Sequence, residues 1–275
     1  MTEFEPITSY EALAPELDAL LKQKIVANYA PERQALEAEI AAGLLWAGRL
    51  PQGLVLLRRG GGPQRLRFLL TEPQALCGLV LDRSTALELP FRSGDTRFPQ
   101  LARDLEGSGW AEALRRVRLS RRPGPRPSAQ GAASPLLRPA DEISDPASLL
   151  RLLRCCFSPL TGCLPEQAEL QADLAAGRVL ALPGGLIRWR EKGRSSEIRH
   201  LAVAPAQRGQ GLAKALVGAY LDRAGDRLCR VWTAGDNLPA RRVYEGFGYA
   251  PDGWESIVLI HSRPDMNTSI NPWED

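Results

Sequence analysis

The stretch that decides the fold is Gln207-Arg208-Gly209-Gln210-Gly211-Leu212, which stands between two apolar segments. The segment before it is a short apolar run that ends at Val203. The segment after it has apolar residues three and four positions apart, namely Leu212, Ala215, Leu216, Ala219 and Tyr220. Spacing of this kind predicts a strand, a glycine turn and an amphipathic helix. A turn at the start of a helix presents free backbone N–H groups, and the helix dipole there favours a phosphate or pyrophosphate.

The two glycines fit this interpretation but do not prove it. Gly209 and Gly211 allow the backbone to approach an anion closely and to take a positive φ. Arg208 adds a positive charge beside them. An ordinary connection between a strand and a helix uses glycines in the same way. The turn alone therefore leaves both interpretations open.

Composition limits the classes of protein that this chain can be. Its 275 residues exceed one typical domain and predict two. The net charge of +3 gives no reason to expect a nucleic acid partner. No run approaches the roughly 20 apolar residues of a membrane helix, and the first residues do not resemble a signal peptide. Five cysteines without a CxxC pair favour free thiols and a cytoplasmic location, and their spacing does not favour a metal site.

The sequence contains the same pattern twice. Each half has two helices followed by three short strands, with a hairpin turn before the third strand, and in the second half a short strand at Leu136–Arg138 precedes the helices. Matching segments lie 132 to 134 positions apart early in the halves, as in Leu36–Gly43 against Leu170–Gly177. Later segments also match in order, including Glu106–Trp110 against Glu245–Tyr249. Ordered matches with regular spacing indicate a tandem duplication of one α/β domain.

The halves differ at the glycine turn. Sixteen positions separate Pro205 from Leu221 (221 − 205), whereas eight separate the matching Pro73 from Leu81 (81 − 73). The first half therefore has a shortened helix and lacks the phosphate-binding turn. We expect a degenerate domain at 1–122, a Pro-rich linker at 123–135, a complete domain at 136–264 and a tail at 265–275.

The second half resembles the GCN5-related N-acetyltransferase (GNAT) superfamily. The resemblance is carried by residues 197–205, by the glycine turn 207–213, and by an Asn237…Ala240…Tyr244…Phe247 block downstream. It implies two tandem GNAT-like domains, each a mixed, mostly antiparallel sheet flanked by helices (α/β, or α+β). It covers about half of the chain directly, and the repeat extends it to the first half.

The resemblance implies acetyl-CoA, or another acyl-CoA, as the acyl donor. The residues that match the family's donor site are Leu201, Ala202, Val203, Gln207, Arg208, Gly209, Gln210, Gly211, Leu212, Ala213, Asn237 and Tyr244. The turn would donate N–H groups to the pyrophosphate, and the strand 201–203 would pair with the pantetheine arm. A strand N–H near Leu201–Val203 would also polarise the thioester carbonyl.

Two residues match catalytic positions of the family. Tyr244 lies where the family often has a general acid for the departing thiolate, although a tyrosine that only packs its helix would look the same. Glu197 lies where several members have a base for the acceptor amine. His200 competes for that role, because its ordinary pKa near 6.5 suits base chemistry. Asn237 is predicted either to bind pantetheine or simply to cap the following helix. Alternation along the strand predicts Glu197 on the face opposite His200.

We therefore expect an N-acyltransferase, most simply an acetyltransferase, that acts by direct attack in a ternary complex. The acceptor would be a small-molecule amine or an amine of a protein or peptide, with no nucleic acid or membrane partner and no metal. Two related domains would make the chain a pseudo-dimeric monomer, or it would form a homodimer. The alternative hypothesis is a non-catalytic acyl-CoA-binding regulatory protein.

Overall fold

The computed structural model describes residues 2–60, 62–124, 138–139 and 145–262. It divides into two compact units. The first unit runs to Arg115 and resumes at Ser256, and the second runs from Arg116 to Glu255. The last strand of each sequence half therefore ends in the other unit.

The first unit is built from short helices and strands, with a 3-10 helix at Pro73–Gly78. Its elements are β1 (Phe4–Pro6), α1 (Tyr10–Leu21), β2 (Val26–Ala27), α2 (Arg33–Ala41), β3 (Leu45–Leu50), β4 (Gly53–Arg58), β5 (Gln64–Leu70), β6 (Thr85–Arg92), α3 (Arg97–Glu106) and the start of β7 (Trp110–Arg121). Ser9 caps α1 by accepting from the Ala12 N–H at 3.2 Å.

The second unit repeats this plan with a full helix after its central strand. Its elements are β8 (Arg138–Pro139), α4 (Pro146–Cys156), α5 (Gln167–Ala175), β9 (Val179–Leu182), β10 (Gly185–Lys192), β11 (Ser195–Val203), α6 (Leu212–Ala224), β12 (Leu228–Ala234), α7 (Leu238–Gly246) and β13 (Ala250–His261). Asp145 caps α4, accepting from the N–H groups of Ala147 and Ser148.

Each unit contains a mixed, mostly antiparallel sheet. In the first unit the order is β1-β3-β4-β5-β6, followed by the end of β13. In the second it is β8-β9-β10-β11-β12, followed by residues 116–121 of β7. The parallel contacts join β5 to β6 in the first unit and β11 to β12 in the second. This confirms the predicted fold class of two tandem domains with flanking helices.

Each sheet buries a hydrophobic core on both faces. In the second unit α4 and α5 pack Leu149, Leu153 and Leu170 against one face. Helices α6 and α7 cover the other face, where Tyr220 and Phe247 are fully buried. Both faces of β10 and β11 are therefore covered by helices, which fixes the central strands in place.

Most predicted elements are present, and the exceptions are informative. The shortened helix of the first half is the 3-10 helix at Pro73–Gly78, in contrast to the 13-residue α6 of the second half. Strand β12 was not identified in the sequence. Residues 125–135 of the proposed linker and the proposed tail at 265–275 lie outside the described residues. The domain boundaries drawn from the repeat remain a proposal.

Candidate functional site

The glycine turn has the backbone geometry that its sequence predicts. Gly209 has a φ of +78° and Gly211 a φ of +83°. A Cβ at either position would meet no atom within 4 Å. Positive φ, rather than lack of space, is therefore the reason for glycine at both positions.

Helix α6 starts directly after this turn and leaves donors free. Its first backbone hydrogen bond runs from the Ala215 N–H to the Gly211 carbonyl at 3.0 Å. The N–H groups of Leu212, Ala213 and Lys214 precede that bond and have no acceptor within the helix. Together with the dipole they form a position suited to an anion.

Gln207 and Arg208 hold the turn against the sheet. A Cβ on Gly184 would lie 1.1 Å from the Gln207 side-chain oxygen, so this amide packs directly on the turn between β9 and β10. The Arg208 Nε donates to the Val203 carbonyl at 3.3 Å. Gln210 donates to the Ala206 carbonyl at 3.5 Å. The side chains of these three predicted binding residues therefore support the turn from within the chain.

The central strands β11 and β12 are paired only at their beginnings. Their parallel register joins Ser195–Ile198 to Leu228–Val231, although β11 continues to Val203 and β12 to Ala234. Beyond Ile198 the edge of β11 that faces β12 has no strand partner among the described residues. The predicted pantetheine segment Leu201–Val203 lies on this open edge. Backbone groups on this edge can pair with an extended ligand, apart from the Val203 carbonyl, which accepts from Arg208 and Cys156.

A β-bulge lies at the point where the strands part. Arg188 pairs with His200, but Trp189 pairs with Ile198, so Arg199 is the extra residue on β11. The predicted uninterrupted alternation is wrong for this reason. Glu197 lies on the same face as His200 and Ala202, while Ile198 and Leu201 both pack in the core beneath α6.

Glu197 is an ionised, largely buried carboxylate. Its side chain is 16% exposed and lies 2.9 Å from the Arg199 guanidinium and 3.2 Å from that of Arg190. Burial alone would raise its pKa, but the two guanidinium groups outweigh burial and hold the pKa below the ordinary value. It is therefore a charged proton acceptor at neutral pH.

His200 is buried and neutral. Its Nε2 donates to the Gly162 carbonyl at 2.9 Å, and the Phe157 ring packs against it at 5.2 Å. Burial lowers its pKa to about 3. These contacts attach the loop between α4 and α5 to β11. The geometry favours a structural role for His200 over that of a base.

Tyr244 and Asn237 are positioned by α7. Tyr244 is 4% exposed, and its ring lies 5.6 Å from that of Tyr249. Burial raises the pKa of the phenol, so it remains protonated at neutral pH. Asn237 caps α7, because its side-chain oxygen accepts from the Ala240 N–H at 3.1 Å. The donor-binding and catalytic roles assigned to these residues remain predictions.

The corresponding edge in the first unit is filled by the chain itself. There β5 and β6 are paired only over Gln64–Leu66 and Thr85–Leu87. Strand β2 pairs with the end of β5 through Leu69 and Leu70. Asn28, directly after β2, donates to the carbonyls of Leu66 and Glu88 at 3.2 and 3.0 Å. It also accepts from the Phe68 N–H at 2.8 Å.

Asn28 thereby satisfies the backbone groups that the parting strands would otherwise leave open. Its side chain is buried, and its donors and acceptor bridge both strands. An extended ligand cannot pair with β5 without displacing β2 and Asn28. This role of Asn28 could not be predicted, because Asn28 precedes α2 in a segment without periodicity.

A comparison with known proteins agrees with this geometry. Residues 146–249 match the acetyltransferase (GNAT) family. This match confirms the resemblance stated from the motifs, and the solved structures below confirm the tandem arrangement of the fold.

Relatives and solved structures extend the comparison. The chain is 33% identical over 150 residues to a mycothiol acetyltransferase of Geodermatophilus obscurus, an alignment that covers 49% of this chain and 47% of that protein. It thus spans about half the length of this curated relative.

Two solved structures share the fold over nearly the whole chain. A tandem GNAT protein from the clavulanic acid biosynthesis pathway has a TM-score of 0.60 at 14% identity, covering 94% of this chain and 98% of that chain. A GNAT-like structure from Pyrococcus horikoshii, described as a putative acetyltransferase, has a TM-score of 0.61 at 10% identity and covers 95% and 89%. At these identities the likeness concerns the fold alone. No helix within the described residues is long and apolar enough to cross a membrane.

Proposed function

We propose that this chain is an acyl-CoA-dependent N-acyltransferase, with acetyl-CoA as the donor and a primary amine as the acceptor. The observation that carries the proposal is the open edge of β11 beside the positive-φ turn. The open edge supplies backbone groups that can pair with the extended pantetheine arm, and the turn supplies N–H groups for the pyrophosphate. The family match over 146–249 supports acetyl transfer in general.

In the proposed reaction the chain mainly positions the two substrates. Backbone groups of Leu201–Val203 would hold the thioester next to the acceptor, which makes the attack nearly unimolecular. The amine nitrogen bonds to the acyl carbon and the carbon–sulfur bond breaks. Glu197 would take the amine proton, directly or through water, and the Tyr244 phenol would give its proton to the leaving thiolate.

The protonation states at neutral pH are the ones that these two roles require. Glu197 is ionised at neutral pH and can accept a proton, whereas Tyr244 is protonated and can donate one. His200 is neutral but hydrogen-bonded to Gly162 within the loop, which leaves it a poor candidate for the base.

The first unit would not contain a second acyl-CoA site. Its turn is replaced by the 3-10 helix at Pro73–Gly78, and its open edge is filled by β2 and Asn28. We therefore propose one acyl-CoA site for each chain. The acceptor of the Geodermatophilus relative is not carried over, since the alignment covers half of each protein.

Thiol release from acetyl-CoA in the presence of an amine panel tests this function. If the chain is an enzyme, thiol release should depend on the acceptor amine, and its rate should fall in the variants Tyr244→Phe and Glu197→Gln. Tight binding of acetyl-CoA with no release for any amine would instead support the alternative, a non-catalytic acyl-CoA-binding regulatory protein.

A further inference from the structure

The face of the second sheet that carries Glu197 also carries a row of arginine side chains. Across the strands, Arg190 pairs with Glu197, Glu197 with Arg230, and Arg230 with Ser120. Residues that are direct partners in a sheet point to the same face. Three strands therefore present Arg190, Glu197 and Arg230 side by side.

The next rows of this face contain two more arginines, both held in place. The Arg118 guanidinium lies 5.0 Å from the Trp254 ring and 5.6 Å from the Trp232 ring, and its Nε donates to Asp252 at 2.8 Å. Arg116 donates to the Thr161 carbonyl of the loop between α4 and α5. These contacts hold the side chains of Arg118 and Arg116 in place next to the row of Arg190, Glu197 and Arg230.

The described strand residues of this area carry more positive than negative charge. Its guanidinium groups are those of Arg116, Arg118, Arg188, Arg190, Arg199 and Arg230, and its strand carboxylates are those of Glu197 and Asp252. Arg188 is matched by Asp173 and Glu169 of α5. Arg118 is matched by Asp252, and Arg190 and Arg199 share Glu197.

Arg230 is the exception within this row. Among the described residues it forms no ion pair, and its buried Nε has no hydrogen-bond acceptor. A buried guanidinium N–H without an acceptor is unfavourable, and an anion at this position would supply the missing acceptor.

The location connects this row to the proposed reaction. Arg230 lies on β12 next to Glu197 on β11, in the last part of the parallel ladder before the two strands separate. The open edge at Leu201–Val203 begins on the same strand a few residues further on. A molecule over Arg230 would therefore lie beside the proposed proton acceptor and beside the place where the donor's thioester would be held.

We propose that the acceptor is an amine that also carries an anionic group, a carboxylate or a phosphate, and that Arg230 binds this group. Arg190 and Arg199 add to the local positive field, and the amine faces Glu197. The inference rests on the proposed function, since it assigns the acceptor class of that site.

Matched pairs of amines test the charge requirement. The probes are glycine, β-alanine and 4-aminobutyrate against their carboxamides for the carboxylate, and O-phosphoethanolamine against ethanolamine for the phosphate. Thiol release gives kcat/KM, and calorimetry on the chain saturated with CoA gives amine binding without turnover. For at least one pair we expect the anionic member to exceed the neutral one by about tenfold or more in both measurements.

Variants of one residue locate the effect. Arg230→Gln should raise the KM and the Kd of the preferred anionic amine by about tenfold or more, with the Kd of CoA unchanged. Arg230→Lys should recover part of the loss, because it keeps the charge but not the paired N–H groups. Arg194→Gln removes the same charge from the exposed hairpin turn and should change neither value. Because Arg230 has no carboxylate partner in the part of the chain that the structure describes, its replacement leaves no orphaned acid there and is compatible with folding.

The outcomes separate the inference from the function on which it rests. The inference is overturned if neutral amines are acetylated as well as their anionic partners and Arg230→Gln leaves both values unchanged. That result would leave the proposed acyltransferase function unaffected. The absence of binding and turnover for every anionic amine would also overturn the inference. Anionic amines that bind through Arg230 but never release thiol would support the anion site and overturn the proposed reaction.

Discussion

Tyr244 is a buried phenol whose ring packs in the core beneath α7. Replacing it with phenylalanine keeps the ring and removes only the hydroxyl, so the fold should change little. If the phenol protonates the leaving thiolate, kcat should fall by about a hundredfold, with the Kd of CoA nearly constant. Stopped assays of thiol release measure kcat, and calorimetry measures the Kd. Tyr249→Phe is the matched control, since it removes a neighbouring buried hydroxyl. Equal losses in both variants would contradict a catalytic role for Tyr244.

His200 makes the stability of the protein depend on pH. Burial lowers its folded pKa to about 3, below the unfolded value near 6.5. Between these values the unfolded chain binds more protons at this residue, so its contribution to stability is present above pH 6.5 and is lost on acidification. The stability advantage of wild type over His200→Gln should therefore shrink by up to about 1.4 kcal/mol per pH unit below 6.5.

Urea unfolding from pH 7 to pH 4 measures this difference. Phe157→Leu serves as the control, because it removes the ring that packs on His200 but keeps the titrating group. The difference between wild type and Phe157→Leu should stay nearly flat with pH. A flat difference for His200→Gln as well would show that the histidine is not held neutral by the fold.

At the scale of elements, α6 and its turn form the donor-binding part of the proposal. Gly211→Ala forces a positive φ on a residue with a Cβ, which costs on the order of 1 kcal/mol of stability. It should also disturb the free N–H groups of the helix start and raise the Kd of CoA. Gly225→Ala also forces a positive φ on a residue with a Cβ at the other end of α6, at φ +57° and ψ −132°, outside the left-handed helical region that Gly211 occupies, and again with no atom within 4 Å of the added Cβ.

The two glycine variants separate strain from binding. Thermal unfolding should show at least as large a loss for Gly225→Ala as for Gly211→Ala, because the Gly225 conformation is the less accessible one for alanine. Calorimetry should show weaker CoA binding for Gly211→Ala alone. Equal CoA affinity in the two variants would remove the turn from the donor site.

The sequence was a good guide to elements whose periodicity is local. The glycine turn and α6 follow from residue spacing within one segment, and the shortened first-half helix follows from comparing the two halves. The bulge at Arg199 does not, because it depends on how β11 pairs with β10. For the same reason the sequence placed Glu197 on the wrong face.

Strand β12 was missed for a related reason. Arg230 and Trp232 lie on the face that also carries Glu197, and Cys229 and Val231 lie in the core, which is a strand pattern of only seven residues. A short alternating run with Arg230 and Trp232 on one side was the available signal. The pairing of β12 with β11 could not be predicted from this local pattern.

At the scale of the whole molecule, the two halves of the sequence exchange their last strands. Residues 116–121 belong to the second unit and pair with β12, and Leu119 is part of its core. Residues 256–261 belong to the first unit, where Ile257 and Leu259 are buried. Neither half of the sequence is therefore a complete folding unit.

A chain broken in the linker tests this arrangement. Fragments 1–124 and 138–275, produced together, should purify as one complex, because each supplies a core strand to the other's unit. Produced alone, fragment 138–275 should be insoluble or bind CoA poorly, since β12 would lose its partner. A stable, fully active fragment 138–275 would contradict the strand exchange.

The account predicts one acyl-CoA site in each chain, in the second unit. Calorimetric titration of the full chain with acetyl-CoA tests this most directly. The expected result is one molecule bound per chain, with binding much weakened in Gly211→Ala and unchanged in Asn28→Gly, which opens the filled edge of the first unit without restoring its turn. Two molecules per chain, or undiminished binding in Gly211→Ala, would contradict the account.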